Sequence, residues 1–181
     1  SGADLLVLEM LLDIDHSKIL LNSALETGLP VWVGLSCCDS KFDNSVIGRN
    51  FRAEKENSLI YDENKYKDQP KYLPEDKIIL LEDIIKSLTS LGGDVYGIMH
   101  TWFQDSIGGL KILKNNWKGP IMFYPEIHKF DTNTHKAIIT MTEEEFSNSI
   151  LELIDDQIQI VGGCCGVNDK HLKRLIQSIS E

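Results

Sequence analysis

The stretch of this 181-residue chain best equipped for chemistry is Val161-Gly162-Gly163-Cys164-Cys165-Gly166. Its two adjacent thiols sit between an apolar run, Ile158 to Val161, and a charged tail that reads as a helix from Asp169. Neighbouring cysteines pair poorly with each other, because a bridge needs separated Cα atoms and suitably directed Cβ atoms. They are better placed to hold a soft metal. Glycines on both sides let the backbone turn tightly, so both sulfurs can face one ion where a regular strand would send them to opposite faces. On the pair alone, two small buried hydrophobes in a tight turn is an equally good reading. The remaining cysteines, Cys37 and Cys38, are also adjacent. Two such pairs are unlike a secreted disulfide framework and suit metal or thiol chemistry in a reducing compartment.

The elements that must position these thiols alternate along the chain. Asp4 to Glu9 is a nearly continuous apolar run of the kind buried on both faces, and Asp15 to Leu25 follows with helical spacing. A second strand runs from Val31 to Cys37 after Pro30. The segment 39–77 is polar and loop-like, long enough to act as a lid or contact surface. A helix from Leu81 to Leu91 stops at Gly92-Gly93. Strand Val95 to His100, helix Ser106 to Asn116, strand Pro120 to Tyr124, helix Glu143 to Asp155, strand Ile158 to Val161 and helix Asp169 to Ile179 complete the pattern. Five strands alternating with five helices imply a parallel sheet covered by helices, either doubly wound or a barrel. Glu9, Cys37, His100, Glu126 and the Cys164-Cys165 pair all fall where a strand yields to its loop. Barrel enzymes build their sites from several such ends, which favours an α/β fold of the (β/α)8 TIM-barrel type. A closed barrel needs eight units, and this chain supplies about five.

Composition narrows the function. A net charge of -10 with no basic stripe argues against a nucleic-acid partner. No run approaches 18 uninterrupted apolar residues, and no positively charged region precedes an apolar segment at the amino terminus. Neither a membrane span nor a secretory signal is therefore expected, and a cytoplasmic location is. At 42% apolar and 25% charged residues, the 181 residues can bury one core and read as one domain.

Three motifs make the chain resemble the homocysteine S-methyltransferase family of zinc-dependent barrels. Gly2-Ala-Asp-Leu-Leu-Val-Leu-Glu9 is similar to the family's Gly-x-Asp-x-x-x-x-Glu strand, Gly97-Ile-Met-His100-Thr stands where the family usually has Gly-Val-Asn-Cys, and Gly162-Gly-Cys-Cys-Gly166 is the most specific of the three. Ser36-Cys37 and Tyr124-Pro125 are weaker similarities at other strand ends. The resemblance maps residues 1–181 onto the last five units of the family's eight, with a long polar insertion at 39–77.

That resemblance implies that Cys164 and Cys165 are zinc thiolates, that His100 stands in for the family's third, cysteine ligand, and that Glu9 takes the amino group of homocysteine. A Cys2His set with an open fourth position suits zinc. Exchanging a thiolate for an imidazole removes one negative charge, which makes the ion a stronger Lewis acid and a bound thiolate a weaker nucleophile. The implied reaction is attack of the homocysteine sulfur on the methyl group of a sulfonium, quaternary ammonium or pterin-type donor, giving methionine, with the protein mainly orienting the two substrates. His100 also reads as an ordinary strand-end histidine, and Glu9 as a carboxylate capping a helix or facing water. Glu126 replaces what is commonly asparagine. Cys37 reads as a pocket residue or a small core residue, and Cys38 as facing the helix layer. Trp102 offers an aromatic wall to a cationic donor or an anchor for its loop. His16, His128, His135 and His171 read as surface residues. Five parallel strands leave two edges open, so self-association or an amino-terminal partner segment is expected. A non-catalytic binding or assembly module from the same barrel is the alternative function; a thiol-redox element is a weaker one, lacking a C-x-x-C spacing.

Overall fold

A computed structural model describes residues 2–50, 53–55, 78–131, 134 and 136–180. In chain order its elements are β1 (Leu6–Leu11), α1 (Ile14–Leu25), β2 (Val31–Leu35), β3 (Cys37–Asp39), β4 (Val46–Gly48), α2 (Leu81–Thr89), β5 (Val95–Trp102), α3 (Phe103–Asn116), β6 (Ile121–Glu126), β7 (His128–Asp131), β8 (Lys136–Ile139), α4 (Glu143–Leu151), β9 (Ile158–Val161) and α5 (Asp169–Ser180). The five expected strands form one sheet in the order β1-β2-β5-β6-β9, and every neighbouring pair is parallel. A doubly wound sheet reverses direction part-way, at its switch point. Here spatial order follows chain order throughout, as in an arc of a (β/α)8 barrel.

One face of the arc carries the main core. Val33, Leu35, Tyr96, Ile98, Ile121 and Phe123 alternate along their strands and pack with Leu21 of α1, Ile84 and Leu88 of α2, Leu110 and Leu113 of α3, and Phe146 of α4. Helix starts are set locally. The Asp13 side chain accepts from the His16 backbone at the start of α1, and Thr142 and Glu145 form a reciprocal capping box at the start of α4. On the opposite face Gly34 and Gly97 lie in register on β2 and β5. A Cβ on Gly34 would meet the Met99 sulfur, and one on Gly97 would meet both the side chain and the backbone carbonyl of Met122 on β6.

The structure departs from the sequence reading at the carboxyl ends of the strands. The run from Val31 to Cys37 breaks at Ser36, and Cys37–Asp39 pairs antiparallel with Val46–Gly48 as a short ribbon. A second ribbon, β7 with β8, follows β6. Neither was expected, because strands of three or four residues inside polar loops carry almost no periodic signal. Helix α3 starts at Phe103, three residues earlier than its spacing indicates, and α4 ends at Leu151, before Asp155. Of the polar segment 39–77, residues 51–52 and 56–77 lie outside the described residues, as does His135.

Two strands are bulged where they end. Register shifts between Leu8 and Leu11 in β1, and between Met99 and Trp102 in β5. Inside those bulges Met10 and His100 have φ of 60° and 45°, a left-handed region that side chains seldom occupy and that costs of order 1–3 kcal/mol. Bulges of this kind re-aim side chains next to sites.

Gly97 sits at a tight strand contact, where the obstacle includes the Met122 backbone carbonyl as well as its side chain. Gly97→Ala is expected to lower stability by about 1–3 kcal/mol, read as a lower urea midpoint at unchanged slope; an unmoved midpoint would contradict this packing.

Candidate metal centre

His100, Cys164 and Cys165 come together at the carboxyl ends of β5 and β9. The His100 Nδ1 lies 3.4 Å from the Cys164 Sγ and 3.5 Å from the Cys165 Sγ, and the two sulfurs are 3.8 Å apart. All three residues are half-buried and their donor atoms form a group able to hold a metal ion.

Each partner reaches this point for a local reason. The loop after β9 is stitched onto β6, where the Cys164 amide donates to the Pro125 carbonyl at 3.0 Å and the Ile127 amide donates to the Cys165 carbonyl at 2.9 Å. The positive φ of Gly166, 90°, lets the chain turn back against His128. The bulge in β5 brings His100 round, and its carbonyl accepts from the Ser36 hydroxyl and from the Arg49 Nη1, each at 2.6 Å.

Two residues join the cluster that the sequence reading left aside. Glu126 Oε2 lies 3.4 Å from the His100 Nδ1, is buried and makes no hydrogen bond, while its other oxygen pairs with the Arg49 Nη2 at 2.8 Å. Glu126, His128 and Cys165 form a second trio of donor atoms, all within 4.8 Å of one another. His128 is therefore not a plain surface residue, and its Nδ1 is buried without a hydrogen bond. The signal for this was the two-residue spacing of Glu126 and His128 in an extended stretch, which puts both on one side. Nothing in the spacing pointed to Arg49, which comes from the polar segment and also lies 3.5 Å from the buried Glu54.

The electrostatics fit a cation. Burial pushes the Cys164 thiol up to about 11, with the Cys165 backbone opposing and the Cys165 and Glu126 charges adding to it. Burial likewise lowers the His100 imidazole from its ordinary value, against the pull of Glu126, which favours a neutral ring with a lone pair for a metal. Left to itself the Cys164 thiol keeps its proton at neutral pH; a divalent ion would displace it. The orphaned Glu126 oxygen also asks for a positive partner, since buried polar atoms are seldom left unpaired.

Other candidates take different places. Glu9 is exposed beside the bulge of β1, outside both donor groups, and its charge helps raise the Tyr124 hydroxyl, whose main cause is burial. Cys37 is a core residue behind the sheet against Gly109 of α3, and burial raises its thiol. Cys38 does not face the helix layer: it packs with Ile47 and Ala53 in a small cluster under the first ribbon, and burial pushes its thiol up to about 12. The break at Ser36 resets the alternation on which that expectation rested. Trp102 is an anchor: its indole N–H donates to the His128 carbonyl at 2.8 Å and the Lys129 ammonium covers its ring at 3.9 Å. His16 is exposed, whereas His171 is buried, bonded to Asn168 and set edge-on to Phe146. A cleft of ≈ 670 Å³ between the two ribbons is lined by Trp102, Asp105, Lys129 and Ile139 but by neither thiol of the pair.

The fold and cluster together define a partial (β/α)8 barrel with a thiol and imidazole centre at its carboxyl-terminal face. The family model of homocysteine S-methyltransferases matches residues 80–179, more than half of the chain, and the chain belongs to that family. Among solved structures it is similar to the metallated form of the homocysteine methyltransferase MmuM from Escherichia coli. The TM-score is 0.61 at 14% identity, covering 98% of this chain and 46% of that one. This likeness bears on the fold, and the chain spans under half of that structure's length. No curated protein matches the chain. Among the described residues no helix is long and apolar enough to cross a membrane.

The Arg49 network yields a pH prediction. Burial pushes the Glu54 carboxyl from 4.5 up to about 7, against the pull of Arg49. A group that keeps its proton longer when folded binds more protons in the native state over that interval. Its contribution to stability therefore falls as pH rises from about 4.5 to about 7, then levels off. The wild type should lose up to roughly 3 kcal/mol relative to Glu54→Gln across that window, measured by urea unfolding at several pH values; parallel pH profiles for the two proteins would contradict it.

Proposed function

We propose that residues 1–181 form the metal-bearing, carboxyl-terminal part of a zinc-dependent S-methyltransferase. It would move a methyl group from a sulfonium, quaternary ammonium or pterin-type donor to the thiol of homocysteine, giving methionine. One observation carries the zinc reading. With zinc–sulfur bonds near 2.3 Å and zinc–nitrogen bonds near 2.0 Å, a tetrahedral centre has ligand edges of about 3.8 Å between sulfurs and about 3.5 Å between nitrogen and sulfur. The separations here are 3.8 Å, 3.4 Å and 3.5 Å, so the donors already stand at the spacing of three corners. Family membership supports homocysteine as acceptor.

Cys164, Cys165 and His100 would hold the ion. Bound there, zinc would supply the means of keeping an incoming thiol deprotonated at neutral pH. The other tasks fall to the protein. The two cysteines would offer their sulfurs and the neutral imidazole of His100 its Nδ1. Glu9, exposed at the end of β1, takes the substrate ammonium in a charge-assisted contact. Tyr124 on β6, within the influence of that carboxylate, lines the approach. Trp102 does not serve as a wall for a cationic donor, since Lys129 already covers its ring.

Purified protein is expected to carry one equivalent of zinc by elemental analysis, lost in Cys164→Ser and in Cys165→Ser, and binding should weaken as pH falls because the thiols must deprotonate. A stable protein that takes up no metal at any pH would sink the transferase reading and favour a non-catalytic module of the same barrel. A methyl-transfer assay with homocysteine and a panel of donors then identifies the donor.

The partners we propose include further β/α units of the barrel. Among the described residues β1 and β9 have one sheet neighbour each. Beside β9 an apolar groove of ≈ 590 Å³ is lined by Leu151, Ile154, Val161, Leu172 and Ile176, the last of them 63% exposed. Open edges with apolar flanks invite pairing. Sedimentation should give a species larger than one chain, or one formed on adding an amino-terminal segment that supplies the missing units; a well-folded strict monomer indifferent to that segment would refute it.

A further inference from the structure

The first ribbon is fastened to the bulge that carries His100, and its two ends do the fastening. Ser36, just before β3, donates its hydroxyl to the His100 carbonyl at 2.6 Å. The next amide, that of Cys37, donates to the Thr101 hydroxyl at 2.9 Å. Just after β4, the Arg49 amide donates back to the Ser36 carbonyl at 2.9 Å, and its Nη1 reaches the same His100 carbonyl at 2.6 Å. The Nη2 of that guanidinium pairs with Glu126 on β6 at 2.8 Å. One side chain, 5% exposed, thus joins the backbone of β5 to the carboxylate of β6.

We propose that Arg49 is a positioning residue of the metal centre, holding the left-handed backbone of His100 and the Glu126 carboxylate in fixed relation so that the imidazole meets the two thiols. This rests on the metal-site reading above. The need is visible in the backbone: at φ 45° His100 occupies a conformation worth giving up unless its surroundings impose it. The direction of the ring follows from that backbone, so a carbonyl gripped by two donors also fixes where Nδ1 points. The residue type matters as well. A guanidinium is a rigid planar fork that donates along divergent directions, whereas a lysine ammonium is a compact point charge on a flexible stem. Lysine would keep the charge near Glu126 and lose the simultaneous grip on the His100 carbonyl. Outer partners that orient a metal ligand typically matter 10- to 100-fold in affinity.

The test is metal affinity and ligand field in the full chain, with cobalt(II) as the spectroscopic probe and zinc by competition. Arg49→Lys should weaken binding by about 10- to 100-fold and shift the cobalt d–d bands, with stoichiometry kept at one. Ser36→Ala, which removes the other donor to the same carbonyl without touching any charge, should shift the bands the same way with a smaller loss of affinity. It decides the matter if Arg49→Lys does not fold. Wild-type affinity and unchanged bands in the folded variants would overturn the proposal. Cys164→Ser serves as the separate control: failure of wild-type protein to bind cobalt at all would instead remove the metal-site reading beneath it.

Discussion

Two backbone hydrogen bonds across the junction of β6 and β9 set up the rest of the site. By tying the Cys164 amide to Pro125 and the Cys165 carbonyl to Ile127, they lay the glycine-flanked loop over the end of the neighbouring strand instead of letting it run out into solvent. The thiols then face the residue that the bulge of β5 turns toward them. A regular β5 would continue its alternation and aim position 100 by pleat alone. The bulge frees it from that rule at the cost of a strained φ, and the first ribbon supplies the grip that keeps it there.

Charge accounts for the second layer. Arg49, Glu54 and Glu126 are nearly solvent-free, and charges removed from water persist only when paired and hydrogen-bonded. Arg49 faces both carboxylates, yet one oxygen of Glu126 stays unpaired and looks toward His100 and Cys165. The chain thus presents soft sulfur, imidazole nitrogen and a carboxylate oxygen to one small volume.

Much of this was legible in the residues. The five strands and five helices followed from periodicity, because buried parallel strands are long apolar runs and the covering helices are amphipathic. Glycines around Cys164 and Cys165 marked a tight turn, and the strand-end positions of His100 and Glu126 placed them at one end of the sheet. The ribbons were not legible, since residues 37–39, 46–48, 128–131 and 136–139 are too short to show a period. With them went the roles of Arg49 and His128, which depend on how the ribbons fold back. Cys38 was misplaced for the same reason: alternation holds only while a strand continues. His171 shows the other limit, as a polar residue in a charged helix is buried when the loops at the helix starts, here Asn168 and the Met141 carbonyl, give it hydrogen-bond partners.

His100 and Cys164 are 64 positions apart in the chain. An ion held between them would act as a reversible cross-link, with the unfolded chain losing the freedom of a loop that long. The chain-entropy estimate for a covalent bridge of that span is roughly 4 kcal/mol. For an arc of sheet with open edges, a chelator would then act as a denaturant.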